Sequence, residues 1–157
     1  MSGPDAKEFQ VRAYHGRDLD AIYHLDQRCF VPEIAYSRED LKYFLETRDA
    51  LALIAASAES IVGFLIAQLY RGRPTFQARI ITIDVDPDLR RGKIGSLLMN
   101  ACEDELRRQQ VSRVRLEVAV GNLAAQKFYQ RYGYRVLSTL PGYYPTGEDA
   151  FAMQKDL

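Results

Sequence analysis

Residues 80–109 read IITIDVDPDLRRGKIGSLLMNACEDELRRQ, and this stretch decides the fold. Residues 80–85 are apolar and mostly β-branched, which predicts a strand. Asp86 and Pro87 end it, because proline has no N–H to give to a ladder. A basic turn follows, Arg90-Arg91-Gly92-Lys93-Ile94-Gly95. Apolar residues then recur at Ile94, Leu97, Leu98, Ala101, Cys102 and Leu106. These offsets of 3, 4, 7, 8 and 12 make one buried stripe on an amphipathic helix.

A basic, glycine-bearing turn at a helix start suits a phosphate. The first helical turn has unpaired N–H groups and the positive end of the dipole. Glycine lets the backbone approach an anion. Neither the P-loop pattern nor the dinucleotide pattern Gly-x-Gly-x-x-Gly is present. The competing reading is a surface turn with solvated arginines.

Outward from this stretch, the N-terminal side predicts a frayed end over 1–7 and a strand over 9–12. A helix over 19–28 follows, capped by Asp18, with Leu19, Ile22, Leu25 and Cys29 on one face. A loop with large side chains, 29–36, leads to a helix over 39–47 capped by Ser37. Residues 50–56 and 60–70 read as an antiparallel hairpin. Arg71-Gly72-Arg73-Pro74 is a second turn, and 76–85 is the next strand.

On the C-terminal side, 113–119 is a strand with Val114, Leu116 and Val118 on one face and Arg115 and Glu117 on the other. Asn122 is placed to cap a helix over 123–131. Gly133 supplies a left-handed terminator. Strands over 134–140 and 149–156 flank a loop at 141–147. The order β-α-α-β-β-β-α-β-α-β-β contains a βαβ unit and hence a parallel pair, an α/β (α+β) architecture.

At 157 residues the chain is expected to be one domain. Lys+Arg and Asp+Glu are both 21, so no global charge points to nucleic acid or an acidic membrane. Cys29 and Cys102 lie far apart without metal spacing, and Cys102 falls on the buried stripe. A cytoplasmic location fits best. No apolar run is long enough to span a bilayer.

Strand, Arg/Gln-x-x-Gly-x-Gly/Ala, then helix resembles the acyl-CoA pyrophosphate site of the GNAT superfamily of N-acetyltransferases. Arg90 takes the first position and Gly95 the last. Lys93 stands where the family has its middle glycine, and Gly92 is one place early. Either a deletion shifts the turn, or Lys93 gives its backbone N–H in a non-glycine conformation. Leu116-Glu117-Val118, Asn122 and Phe128-Tyr129 are similar to a run in the ribosomal-protein-alanine and related protein N-terminal acetyltransferases of that superfamily. So is the C-terminal Gly142-Tyr143-Tyr144-Pro145-Thr146-Gly147-Glu148-Asp149-Ala150-Phe151-Ala152-Met153, with its tyrosine pair and following strand.

The resemblance implies the GNAT fold: a mixed, twisted sheet of about seven strands with about four helices, splayed between the fourth and fifth strands, with the donor in the splay. It implies acetyl-CoA as donor, held by Ile83, Asp84, Val85, Arg90, Arg91, Gly92, Lys93, Ile94, Gly95, Ser96, Asn122 and Tyr129. The acceptor would be a protein or peptide N-terminus, attacking directly in a ternary complex. A monomer or weak homodimer is expected, with no nucleic-acid or membrane partner and no metal.

Acyl transfer to an amine needs a base, and Glu117 at the end of a central strand is the first choice. The resemblance assigns it the same role. The competing reading pairs Glu117 with Arg115. The leaving thiolate needs a proton or hydrogen bond, for which Tyr129 is the candidate. Its competing role is a core aromatic. The resemblance gives Val85 an oxyanion-binding N–H. Asp84 is a second possible base, or pairs with an arginine. Asn122 reads equally well as a plain cap. Phe30, Tyr36, Tyr143 and Tyr144 could wall an acceptor slot, and Glu33 could meet the ammonium. No cysteine is expected in the site. Acetylation of a small-molecule amine and a non-catalytic acyl-CoA-binding module are the other function classes.

Overall fold

Strand propensity and helical stripes set the following elements in the computed structural model, which describes residues 8–72 and 75–157. They are β1 (Gln10–Ala13), α1 (Leu19–Cys29), α2 (Arg38–Glu46), β2 (Ala50–Ala56), β3 (Ile61–Arg71) and β4 (Phe76–Val85). Then come α3 (Ile94–Arg108), β5 (Arg113–Ala119), α4 (Leu123–Arg131), β6 (Arg135–Leu140) and β7 (Ala150–Asp156). The expected frayed end at 1–7 and two residues of the expected second turn, Arg73 and Pro74, lie outside the described residues. Among the described residues no helix is long and apolar enough to cross a membrane.

The strands form one mixed sheet in the order β1-β2-β3-β4-β5-β7-β6. Among the described residues, β4 and β5 are the one parallel pair, as the βαβ order requires. On one face, Ile94, Leu98, Met99, Cys102 and Leu106 of α3 pack with Val114, Leu116 and Val118 of β5 and Tyr129 of α4. On the other, Leu19, Ile22 and Leu25 of α1 and Leu41 and Leu45 of α2 pack with Ile54, Phe64 and Ile66.

Caps behave as short-range chemistry dictates, with one exception. Ser37 Oγ accepts from Asp40 N–H at 3.0 Å and starts α2. Asp18 does not cap α1 with its side chain. Its carboxylate is taken by Arg12 at 2.8 and 2.9 Å and by His15 N–H at 2.9 Å, and a 3-10 turn, Gly16–Asp18, precedes the helix. The α3 stripe also contains Glu103, absent from the apolar pattern. It is buried because Lys155 Nζ at 2.7 Å and Tyr134 Oη at 3.1 Å satisfy it.

Two features of β4 position the site. Its parallel pairing with β5 spans only Gln77–Arg113, Ala78–Val114 and Arg79–Arg115. Beyond Arg79 the strands separate, β4 staying on β3 as far as Val85 and β5 on β7 as far as Ala119. In addition, Ile66 opposes Thr82 while Ala67 opposes Ile80, so Ile81 is an extra residue, a β-bulge. The bulge resets the alternation. Ile80, Ile83 and Val85 pack with the α3 layer and Ile81 with the α1–α2 layer. Asp84 is turned toward Asp26 of α1.

Gly63 holds the close approach of α3 to this segment. It opposes Val85, and a Cβ there would lie 2.9 Å from the Asp84 carbonyl oxygen, 3.1 Å from Ile94 Cγ2 and 3.2 Å from Leu98 Cδ1. Gly63→Ala is expected to destabilise the fold by ~1–3 kcal/mol through overpacking. A lowered denaturant midpoint at unchanged m-value checks this.

Candidate active site

The donor side of the site is the gap between β4 and β5. Asp86 N–H bonds to the Val62 carbonyl on β3 at 2.8 Å. Backbone groups alternate along a strand, so the N–H and C=O of Val85 point the other way, into the gap. Cys29 Sγ donates to that Val85 carbonyl at 3.4 Å. A cysteine therefore does sit in the site, contrary to the sequence reading, because the end of α1 is packed over the end of β4. Burial, reinforced by the Asp84 carboxyl, pushes the Cys29 thiol up to about 11.

The basic turn is built from backbone strain and ion pairs. Asp86 accepts from Asp88 N–H at 2.9 Å and from Arg28 at 3.1 and 3.2 Å, which orders the 3-10 turn Pro87–Leu89. Arg91 (φ 78°) and Lys93 (φ 68°) are left-handed, whereas Gly92 is not. The reading that gave Lys93 a non-glycine conformation is thereby corrected, since Lys93 takes the left-handed conformation that favours glycine. That strain costs on the order of 1–2 kcal/mol per residue. Lys93 is the N-cap of α3, and Leu97 N–H to Lys93 C=O at 3.0 Å is the first helical bond. The N–H groups of Ile94, Gly95 and Ser96 precede it and lack helical acceptors. With the exposed Arg90, Arg91 and Lys93 beside them, these donors fit a pyrophosphate. Gly95 is not demanded by crowding, since a Cβ there would meet the Phe128 ring at 3.5 Å, an ordinary contact.

The acceptor side is where β5 has just left β4. Glu117, 20% exposed, accepts from Arg79 Nε at 3.0 Å. Its partner is on the neighbouring strand and not Arg115 on its own. Burial works against the Arg79 charge, and the bond to Glu117 outweighs it, so the guanidinium pKa is raised. Arg79 also donates to Tyr143 Oη at 3.0 Å, and Tyr143 meets Tyr144 edge-to-face at 5.0 Å. Burial pushes the Tyr144 phenol up to about 12, with Tyr143 and Glu117 adding to it. Tyr36 is also pushed up to about 12 by burial, against the nearby Arg79. Tyr129 is buried, and burial with Asp84 and Tyr144 nearby raises its pKa.

Glu117, Tyr129, Tyr36, Tyr143 and Tyr144 thus converge, while other expected residues do not. Phe30 is half-buried beyond α1, and Glu33 is exposed on the following loop. Asn122 Oδ1 accepts from Ala125 N–H at 3.1 Å, the plain helix-cap role. Among the described residues Asp84 forms no ion pair with an arginine. Thr82 Oγ1 donates to it at 2.6 Å, and its carboxyl faces Asp26. Arg79, Asp26 and Cys29 were missed as site residues. Arg79 is an arginine within a β-branched central strand, and Asp26 occupies the i+4 place after Ile22 on the α1 stripe. Both oddities were visible signals. From Glu117, an open groove of about 550 Å³ runs past Arg79, Arg115, Gln77 and Tyr70.

A family model described as the Acetyltransferase (GNAT) family matches residues 19–134. The chain is 29% identical to the ribosomal protein bS18-alanine N-acetyltransferase of Escherichia coli (strain K12), over 87% of this chain and 89% of that protein. It is 28% identical to an N-alpha-acetyltransferase of Sulfurisphaera tokodaii, over 96% and 95%. The crystal structure of the ribosomal-protein-alanine enzyme from Escherichia coli superposes with a TM-score of 0.86 at 27% identity, covering 94% of this chain and 93% of that one. A structure of the NatC complex bound to Gag peptide and CoA shares the fold, with a TM-score of 0.86 at 23% identity, over 96% and 99%. With the open β4–β5 gap and the donor-rich start of α3, these matches establish that the chain belongs to the GNAT family of acetyltransferases.

Proposed function

We propose that the protein transfers the acetyl group of acetyl-CoA to the N-terminal α-amine of a protein or peptide. The observation that carries this reading is the placement of Glu117. It is a half-buried carboxylate fixed by Arg79, at the mouth of the gap and beside Tyr36, Tyr143 and Tyr144. A slot with tyrosine walls admits a chain end and offers hydroxyls to its backbone. The relatives named for N-terminal acetylation support the same acceptor class.

The pyrophosphate of the donor is held by Arg90, Arg91 and the N–H groups of Lys93, Ile94, Gly95 and Ser96, with the acetyl end in the gap beside Ile83 and Val85. The Val85 N–H stabilises the developing oxyanion. Glu117 takes the proton of the acceptor ammonium, directly or through water. An α-ammonium has a reference pKa of about 7.7–8.0 against about 10.4 for lysine, so one carboxylate suffices near neutral pH. Tyr129 faces the departing thiolate. Its raised pKa lies above that of a thiol, about 8.5, so it keeps its proton and stabilises the thiolate by a hydrogen bond. Transfer is direct, because Cys29, its S–H donating a hydrogen bond to the Val85 carbonyl and its pKa pushed up to about 11 by burial, is a poor nucleophile. The following residues of the acceptor lie along the groove, where Arg79 and Arg115 favour acidic side chains.

Thiol release from acetyl-CoA is expected with peptides bearing free N-termini and not with blocked ones carrying internal lysines. Turnover with both forms would assign a lysine acceptor, and turnover with small amines alone would assign a metabolite. Glu117→Gln is expected to lower kcat by roughly 10²–10⁴-fold and Tyr129→Phe by about 10²-fold, with circular dichroism unchanged. Among accepted peptides, acidic residues at the second to fourth positions should lower KM, and Arg115→Glu should reverse that order. Cys29 should alkylate slowly at neutral pH, with a rate climbing about tenfold per pH unit toward its pKa.

A further inference from the structure

Beneath the acceptor slot lie two carboxyl groups that the transfer chemistry does not use. Asp26 on α1 is 0% exposed and Asp84 on β4 is 1% exposed. Asp26 Oδ2 accepts from Tyr36 N–H at 2.7 Å, and Asp84 Oδ1 from Thr82 Oγ1 at 2.6 Å. The remaining oxygens, Asp26 Oδ1 and Asp84 Oδ2, have no other hydrogen-bond partner among the described residues. Two buried carboxylates cannot face each other with both oxygens orphaned, since each charge would be desolvated and repelled. One proton between them removes the repulsion, joins the two orphaned oxygens and leaves a single buried charge in place of two.

We propose that Asp26 and Asp84 share a single proton, and that this carboxyl–carboxylate dyad is the latch that positions Tyr36 in the acceptor slot. The latch is specific to Tyr36 because α1 holds both backbone groups of that residue. Asp26 takes its N–H, and Gln27 Nε2 donates to its C=O at 3.1 Å. The Tyr36 ring then stands edge-on to Phe44 at 5.5 Å. Asp84 binds this clamp to the sheet through Asp26, and Asp84 reaches Asp26 only because of the bulge at Ile81. Both are positioning residues, acting through Tyr36.

The groups facing the dyad are few. From α1 comes the Cys29 thiol, from β4 the Thr82 hydroxyl, from the basic turn the Arg90 guanidinium, from the following loop the Tyr36 phenol, and from α4 the Tyr129 phenol. β3 and α2 present apolar Phe64, Ile66, Leu41 and Leu45 to this layer. Among the described residues Arg90 is the cation that acts on Asp84, and burial outweighs it. Burial raises both carboxyls, and Asp84 well above the usual range. The sign follows. Between the ordinary carboxylate pKa and the raised one, the folded protein holds a proton that the unfolded chain has lost. Stability therefore falls as pH rises through that window. Above it, two anions repel across the α1–β4 seam and Tyr36 is released.

The proposal rests on Tyr36 lining the acceptor slot, and its test includes readouts that need no acceptor. The infrared band of a protonated carboxyl should persist at neutral pH in the wild type and vanish in Asp84→Asn. The amide of Asp84→Asn supplies the bridging hydrogen permanently. That variant should melt higher than the wild type, by a margin that grows with pH and disappears in acid. With any accepted amine, the wild-type acceptor KM should rise with pH by up to about tenfold per unit once the proton is lost, at nearly constant kcat. In Asp84→Asn that rise should be absent. Asp84→Ala, which strands Asp26, should raise KM at every pH. If that variant does not fold, the other readouts stand alone. An absent carboxyl band, or the same pH slopes of melting and KM in wild type and Asp84→Asn, would overturn the latch. The infrared and melting results stand even if the true acceptor is a small amine.

Discussion

Withheld pairing between β4 and β5 is the constraint on which the rest of the molecule depends. Two parallel strands that bond to each other at Gln77–Arg79 cease to do so three residues into their shared course. Unpaired backbone in a sheet interior is costly, and the fold contains that cost in several ways. Each strand keeps its outer partner, β3 or β7. The α3 helix is pressed against the β3–β4 side of the gap by Ile94 and Leu98, and Gly63 is the clearance that allows it. The Val85 carbonyl is occupied by Cys29, which leaves its N–H as the polar group to be used. The donor site is thus the region where the sheet's own hydrogen bonding is incomplete.

Two carboxylate arrangements flank that region and illustrate how burial decides chemistry. Glu117 is partly exposed and paired with a cation that reaches across from β4. A partly exposed pair of this kind serves less as a source of stability than as a way to fix a side chain at a working position. Asp26 and Asp84 are sealed, and their nearest charge is each other. The same functional group is therefore a candidate base in one place and a proton-holding strut a short distance below.

Most of the architecture was legible because it is local. The stripes of α1 and α3, the alternation of β5, the Ser37 and Asn122 caps and the Gly133 terminator each follow from a few adjacent side chains. The errors came from long-range competition. Asp18 looked like a cap until Arg12 claimed its carboxylate. The competing reading that paired Glu117 with Arg115 fails likewise, because Arg79 reaches Glu117 from the neighbouring strand β4. The bulge at Ile81 was invisible, since it depends on how β3 meets β4 and no residue there announces it. That single extra residue sent Asp84 toward α1, and Cys29 entered the site by the same packing of α1 over the end of β4.

The left-handed lysine at the start of α3 has a consequence for how this family member can vary. Glycine would occupy position 93 without strain and asparagine with little, while β-branched residues are shut out. The permitted residues share one backbone conformation and differ in the charge they carry into the turn. Drift at this one position can therefore retune attraction for a polyanionic ligand while the helix axis, the gap and the acceptor wall stay where they are. Lys93 makes the turn an adjustable electrostatic element on an otherwise fixed frame.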